Sequence, residues 1–462
     1  MSKRITIVGG GPGGYVAGIL ASQLGAKVTL IEKNKLGGTC LNVGCIPTKA
    51  LLHSVGLYSV LRAKGAEMGV LADNLRIDWG KAVGYKDGIV SYLVESVKYL
   101  LRSNGIEIIH GEGKITAPNK VEVLGQTIES DALIIATGSE PAHPPIPGLD
   151  AVKEFVVTSN EALSLASLPG TVSVVGGGVI GLEFASIFSS FGVNVTVLEM
   201  MPRVLSNIDA EIAAALRASL EKKGVTFYTD ANISSINKNN GGLKLNITMP
   251  SKSLELSADK LFIAAGRRPF TQNLGLEALG IEMNDGRIQT DAHMETSLKN
   301  IYAIGDCTSK IQLAHVASRE GEVAVKNIMG QKCQMDYRYV PSAIYTAPSV
   351  ASVGLSEEEA GKQGIDIAVG RFPLMGNGKS IVAGDMNGMV KIVSEKNGGK
   401  ILGIHIMGGP ATDMIGEGTL ALHFGAKVED LINIIHAHPT VSEAIGEAAM
   451  QVFGSALHLP RR

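Results

Sequence analysis

The stretch Thr6-Ile7-Val8-Gly9-Gly10-Gly11-Pro12-Gly13-Gly14 through Val28-Thr29-Leu30-Ile31-Glu32 recurs 167 residues later, from Ser173-Val174-Val175-Gly176-Gly177-Gly178-Val179-Ile180-Gly181 through Val195-Thr196-Val197-Leu198-Glu199. The register does not slip between the first glycine and the closing glutamate. Each copy reads as a β-branched strand, a G-x-G-x-x-G turn, a helix ending near Gly25 or Gly192, and a second strand closed by an acid. The first glycine (Gly9, Gly176) permits the tight turn, the second (Gly11, Gly178) lets backbone approach a pyrophosphate, and the third (Gly14, Gly181) lets helix pack on strand. The helix N-terminus, which begins Val179-Ile180 in the second copy, offers phosphates its unsatisfied N–H groups and positive dipole end. Glu32 and Glu199 stand where a carboxylate accepts ribose hydroxyls. One such turn would pass for an ordinary glycine-rich loop. Two in register, each with its acid, imply two dinucleotides and an α/β fold with two Rossmann-like domains.

Directly after the first copy comes Gly37-Gly38-Thr39-Cys40-Leu41-Asn42-Val43-Gly44-Cys45-Ile46-Pro47-Thr48-Lys49. By spacing alone, two cysteines five apart fit buried thiols as well as a redox pair. A disulfide needs Cα atoms within about 7 Å, so a loop or distorted turn is required between them. Asn42-Val43-Gly44 can supply it. Pro47 then falls where a new helix tolerates a missing N–H, and Lys49, one turn beyond Cys45, favours a thiolate there. A dinucleotide beside this pair should accept electrons from thiols, which fits FAD; the second copy would hold the nicotinamide. Met200, Met201 and Pro202 follow Glu199, with Arg203 the one nearby base. An acid repels a 2′-phosphate, so NAD is favoured over NADP.

The 462 residues allow two to four domains, and 56 glycines with a single tryptophan agree with many tight strand-to-helix turns. A formal net charge of −2 leaves no electrostatic footprint for nucleic acid or an anionic membrane. Four cysteines are too few for a secreted disulfide framework, so an oxidised pair would be catalytic, and Cys307 and Cys333 read as plain buried thiols. The basic start and apolar stretch to Ala21 imitate a signal peptide, but its glycines suit a strand feeding a phosphate loop. A cytoplasmic protein without a membrane span is expected, and no metal site.

Ala132-Leu133-Ile134-Ile135-Ala136-Thr137-Gly138-Ser139 and Leu261-Phe262-Ile263-Ala264-Ala265-Gly266-Arg267-Arg268-Pro269 read as short buried strands, each closing a nucleotide lobe. Pro141 to Pro147 would cross between lobes, and Asn300-Ile301-Tyr302-Ala303-Ile304-Gly305-Asp306 is a strand whose terminal acid can meet a flavin side chain. Beyond about Val340, alternating strands and two or three helices without a glycine fingerprint imply an α+β C-terminal domain. The expected boundaries are 1–145 and 269–340 for two parts of an FAD-binding domain, 146–268 for an NAD-binding domain, and 341–462 for the last. Within the last, His436-Ala437-His438-Pro439-Thr440-Val441-Ser442-Glu443 pairs a histidine with a carboxylate able to fix its tautomer and raise its basicity. A solvated loop histidine is the bland reading. The upstream dithiol tips the balance, since disulfide exchange needs a base.

Together the cysteine run, the two fingerprints, Ala303-Ile304-Gly305-Asp306 and the histidine run resemble the pyridine nucleotide–disulfide oxidoreductases, and within them the branch that oxidises dihydrolipoamide. The resemblance implies that Cys45 is the flavin-side thiolate, Cys40 the interchange thiol, and His438 the acid–base oriented by Glu443. Lys49 would pair with Glu183 near the flavin. The resemblance adds Gly38, Thr39, Gly113, Thr137, Gly138, Asp306 and Ala314 to the FAD side, and Gly266 to the NAD side. It also implies a homodimer built through the C-terminal domain, with His438 reaching the partner's disulfide. The substrate would be dihydrolipoamide on a separate lipoyl-bearing protein, an acyltransferase component or a glycine cleavage H protein. The alternatives are an NAD(P)H-dependent reductase of another small disulfide, and a non-catalytic flavoprotein redox sensor.

Overall fold

The computed structural model describes residues 2–239, 241–309 and 311–460. The first unit opens with β1 (Arg4–Val8), buried at every residue but Arg4, as a strand covered on both faces must be. It feeds α1 (Pro12–Gln23), where Pro12 takes the first helical position and its missing N–H costs nothing. The chain returns as β2 (Lys27–Glu32), parallel to β1 from Arg4↔Lys27 to Val8↔Ile31. Three helices follow: α2 (Gly38–Val43), α3 (Cys45–Lys64) and α4 (Trp79–Ser103). The second unit repeats the first as β3 (Thr171–Val175), α5 (Val179–Ser190) and β4 (Asn194–Leu198), paired from Thr171↔Asn194 to Val175↔Leu198. The sequence repeat therefore survives in the hydrogen-bond register. Next comes α6 (Ala210–Lys222), whose N-cap Asp209 accepts the N–H groups of Glu211 and Ile212.

The first sheet runs in the order Ile301–Ala303, Ala132–Ile135, β1, β2, Glu107–His110, and the second Thr226–Tyr228, β4, β3, Lys260–Ile263, Val156–Val157. Here the structure corrects one expectation. Ala132–Ile135 and Lys260–Ile263 do not close their lobes; each lies inside, flanked by a further strand. Their unbroken apolar character marks burial on both faces, a property the edge strand Ile301–Ala303 shares, so it does not by itself tell which strand lies outside. Strand Ile301–Ala303 brings the chain back to the first sheet after the second is complete. Between the units, Ser139–Pro141 and Arg267–Pro269 pair antiparallel, tying the two connections together.

After α7 (Ala314–Ile328), the chain builds a five-stranded antiparallel sheet in the order Ser342–Ile344, Val350–Gly354, Ile401–Met407, Met389–Glu395, Ile367–Pro373. Around it are α8 (Glu357–Lys362), α9 (Gly378–Ala383), α10 (Ala411–His423), α11 (Val428–Ile432) and α12 (Glu443–Gln451). Two or three helices were expected here; three of these are six residues or shorter, less than the two turns a 3.6-residue periodicity needs to show. The α6 N-terminus is fastened to this unit by Lys391, which is buried and reaches Asp209 at 2.9 Å, Glu211 at 3.0 Å and Glu357 at 2.8 Å. Arg371 bridges the same Glu211 and Glu357. Among the described residues no helix is long and apolar enough to cross a membrane.

Candidate active site

The helix carrying Cys40 stops at Val43, Gly44 adopts φ −138° and ψ −112°, and a new helix starts at Cys45. A Cβ at position 44 would stand 2.9 Å from the Thr39 carbonyl oxygen, so glycine permits this abrupt break. The break brings the two thiols, unbonded to each other, close enough for each to act on the other's acidity. Cys45 is drawn down to about 7, first because the Cys40 thiol donates to its sulfur; burial opposes this, the Lys49 charge assists and the Glu183 charge resists. Cys40 moves strongly the other way, through the hydrogen bond it donates, its burial and the charge of Cys45. One sulfur is poised to ionise and its neighbour is not.

Lys49 follows on the same helix, and its Nζ lies 2.9 Å from both carboxylate oxygens of Glu183, which α5 buries. The pair expected from resemblance is therefore in contact, and it has a third member. Tyr345 donates its backbone N–H to Glu183 Oε1 at 3.0 Å and sets its ring 4.7 Å beneath the Lys49 ammonium. Sequence reasoning missed Tyr345 because nothing local marks it; the contact joins the C-terminal unit to the thiol helix across the fold.

These groups open onto one continuous cleft of about 1910 Å³ that runs from the first fingerprint to the second. Of the residues expected to touch a cofactor, Gly9, Gly11, Glu32, Gly38, Thr39, Gly113, Thr137, Gly138, Asp306 and Ala314 line the first half. Gly176, Gly178, Val179, Ile180, Glu199 and Gly266 line the second. Gly14 and Gly181 lie behind the wall, where a Cβ would run into the carbonyl oxygen of Gly9 at 1.8 Å or Gly176 at 2.0 Å. The cleft fits two dinucleotides on structural grounds. The N-caps Gly11 and Gly178 make no side-chain cap, leaving the first N–H groups of α1 and α5 free for phosphate. Gly38, at φ +56°, brings its backbone so near Gly11 that a Cβ there would be 2.7 Å from the Gly11 Cα.

Glu32 accepts the N–H groups of Gly10 and Asn34, both at 2.7 Å, while Glu199 accepts those of Gly177 at 2.6 Å and Met201 at 2.7 Å. Each acid thus braces its own phosphate turn and keeps lone pairs for a ribose. Asp306 is not on the strand itself, which ends at Ala303, but on a following turn. It accepts a hydrogen bond from Ser139 Oγ, and Arg267 donates to the same hydroxyl at 2.8 Å and to the Ser139 carbonyl at 2.7 Å. Ser139 and Arg267 were missed as site residues, although a charged residue straight after a buried strand was a readable signal. Gly305 donates its N–H to the fully buried Glu320, which also accepts the Tyr337 hydroxyl at 2.6 Å; burial pushes the Glu320 carboxyl up to about 7.

The His438 ring holds Glu443 Oε1 at 2.9 Å through Nδ1, while Glu443 Oε2 accepts the Thr440 N–H at 2.8 Å. The neighbouring His436 is engaged elsewhere, with Glu417 at 2.8 Å. The His438 side chain is 80% exposed and does not line the cleft of its own chain. Cys307 is buried as expected, but Cys333 is only half-buried, because it lies in an irregular segment after α7 rather than in a sheet.

Residues 3–321 match the family model described as pyridine nucleotide-disulphide oxidoreductase, and residues 340–449 match its dimerisation domain. The chain belongs to the pyridine nucleotide–disulphide oxidoreductase family. Among relatives of this family, the mitochondrial dihydrolipoyl dehydrogenase of Dictyostelium discoideum is 42% identical over 99% of this chain and 96% of its own. The dihydrolipoyl dehydrogenase of Halobacterium salinarum is 39% identical over 99% and 98%. Among solved structures, the HOCl-induced flavoprotein disulfide reductase RclA from Escherichia coli matches with a TM-score of 0.86 at 28% identity, over 96% of this chain and 98% of that one. The antiparallel sheet and α8 to α12 belong to the matched dimerisation domain, and His438 with them.

Proposed function

We propose that the protein is a dihydrolipoyl dehydrogenase, oxidising protein-bound dihydrolipoamide with FAD in the first half of the cleft and NAD in the second. The observation that carries this reading is geometric: Cys40 and Cys45 flank the Gly44 break, with the Lys49–Glu183 pair one turn on, in the cleft that joins the two phosphate turns. Relatives of that name match nearly the whole chain at about 40% identity and support the choice of substrate. His438, held by Glu443, takes a proton from one substrate thiol. The resulting thiolate attacks Cys40 Sγ in the oxidised pair, forming a mixed disulfide as Cys45 leaves as thiolate. His438 passes that first proton to solvent and takes the proton of the second substrate thiol, whose thiolate attacks the first substrate sulfur and closes lipoamide; Cys40 departs as thiolate and takes this second proton from His438. The electron pair now rests on the Cys40/Cys45 dithiol. Bound FAD and NAD supply the route by which that pair leaves as hydride.

Exposure of His438 outside its own cleft supports a homodimer in which each histidine serves the other chain's thiols. Mixing inactive Cys45→Ser and His438→Gln protomers tests this directly. If the site is shared, activity returns to about one quarter of wild type, since half of reassorted dimers are hybrid and each hybrid holds one intact site. No recovery would place both groups in one chain. The substrate is tested by anaerobic titration with dihydrolipoamide, which should raise a long-wavelength thiolate-to-flavin band that Cys45→Ser abolishes. The RclA likeness favours one second reading, a reductase of another small disulfide. Faster turnover with NADPH and glutathione disulfide than with NAD and dihydrolipoamide would select it.

A further inference from the structure

The segment after Glu199 folds back on the second phosphate turn. Leu205 donates its N–H to the Gly177 carbonyl at 3.0 Å, and a Cβ at Gly177 would lie 2.7 Å from Val204 Cγ1. Met200 and Asn207, at either end of this segment, line the cleft beside Glu199. Arg203, the only cation between Glu199 and Asp209, does not. Its Nη2 is drawn to the Ser206 carbonyl at 3.0 Å and to Glu358 Oε2 at 2.7 Å, and its Nη1 is buried without a partner. Glu358 is not part of the nucleotide unit. It lies on α8 in the dimerisation domain; α8 is closed at its start by its own capping box, and Glu357 ties it to α6 by donating its N–H to Asp209 at 3.5 Å and by sharing Lys391 and Arg371 with Glu211. An anchored element of another domain therefore holds the one guanidinium that the nucleotide-binding segment possesses.

We propose that Glu358 is a specificity-determining residue: by pinning Arg203 away from the cleft it withholds the cation a 2′-phosphate would need. The inference rests on the second fingerprint being the NAD site. A guanidinium is the best side-chain match to a phosphate dianion, binding it through paired N–H donors. Arg203 is carried on backbone that touches the phosphate turn, so freeing it returns a phosphate-seeking group to the neighbourhood of the Glu199 carboxylate. Discrimination against NADP is then divided between Glu199, which repels the 2′-phosphate, and Glu358, which removes its counter-charge.

Glu358 is half-exposed, so Glu358→Gln preserves the fold and changes only charge. The FAD-containing holoenzymes of wild type, Glu358→Gln, Arg203→Met and the double variant are compared in two assays. One is kcat/KM with NADP and with NAD; the other is calorimetric affinity for adenosine 2′,5′-bisphosphate against ADP, which needs no turnover. Glu358→Gln should raise NADP efficiency and bisphosphate affinity about two- to fivefold, the factor a partly exposed ion pair can hold back, with NAD and ADP unchanged. The gain should vanish in the double variant. An unchanged coenzyme ratio in Glu358→Gln, or a gain that persists without Arg203, overturns the role of Glu358 while leaving the NAD reading intact. A wild-type preference for NADP overturns both.

Discussion

Replacing Lys49 by Gln should move the acidity of Cys45, and the structure sets the sign and the size. Lys49 stands one helical turn beyond Cys45, where Cβ atoms are about 6 Å apart; two unit charges at about that separation and an effective dielectric of about 20 interact by roughly 3 kcal/mol, or about two pH units. The ammonium is 28% exposed and already neutralised by Glu183 at 2.9 Å, so about half of that, near one unit, should reach the thiol. Loss of Lys49 also unmasks the Glu183 carboxylate, which acts in the same direction. Glutamine keeps a donor for Glu183, and the Tyr345 N–H remains, so the buried carboxylate is not abandoned. The assay is the pH dependence of alkylation of the reduced protein by iodoacetamide. The wild-type midpoint is expected near 7 and that of Lys49→Gln about one unit higher. Glu183→Gln should shift it the opposite way. If Lys49→Gln leaves the midpoint unmoved, or both variants shift together, the lysine–glutamate pair does not tune this sulfur and the Cys40 hydrogen bond alone sets its acidity.

Three further outcomes follow from the same geometry. Lys391→Met strands Asp209, Glu211 and Glu357 around a buried site that keeps only Arg371, and should cost about 3–5 kcal/mol in urea unfolding; under about 1 kcal/mol would refute the cluster's role. Because burial raises the Asp209 and Glu211 carboxyls but the Lys391 and Arg371 contacts hold them below their ordinary range, that stability is present at neutral pH and lost as acid protonates them, so the variant should show a shallower acid slope. Glu320, pushed up to about 7 by burial, binds its proton more tightly folded than unfolded, so wild-type stability should fall between pH 5 and 8 relative to Glu320→Gln; parallel curves would remove Glu320 from that dependence. Glu443→Gln takes the charge from the His438 partner and should lower turnover about tenfold with FAD retained, whereas His438→Gln should lose about 10²–10⁴-fold; undiminished turnover in Glu443→Gln would deny the orienting role.

How far the sequence could be read depended on whether a feature is fixed by backbone or by distant side chains. Gly9 at φ +111° and Gly176 at φ +106° are demanded by local geometry, so both fingerprints were legible down to their hydrogen-bond register. The break between the cysteines was legible as the run Asn42-Val43-Gly44, and it falls at Gly44, where a Cβ would meet the Thr39 carbonyl oxygen. Lys391 and Asp209 were not, since two charges so far apart in sequence gain partners only when sheet and helix pack. The positions of Ala132–Ile135 and Lys260–Ile263 were misread because apolarity reports burial and says nothing of which strand lies outside. Helix α8 was readable and passed over: Ser356 and Glu359 form a capping box in the structure, and the S-x-x-E spacing advertises it.

The two copies part company immediately after their acids, and that divergence explains the division of labour. In both, the following segment returns to donate an N–H to the carbonyl of the residue between the first two fingerprint glycines, from Gly37 to Gly10 at 2.8 Å and from Leu205 to Gly177 at 3.0 Å. The donors are one residue out of register with the repeat. In the first copy the returning residues are Gly37 and Gly38, and the missing Cβ of Gly38 lets the backbone close on Gly11 and start α2 directly over the cleft, delivering Cys40 and, past Gly44, Cys45. In the second copy Val204 and Leu205 take that place, and their side chains fill the space behind the turn and are fully buried. With that route blocked, the chain is carried outward to Asp209 and the dimerisation domain, and its one cation is left to Glu358. A pair of glycines thus converts a nucleotide-binding unit into one that also presents thiols, and their absence leaves the other copy to bind nucleotide alone.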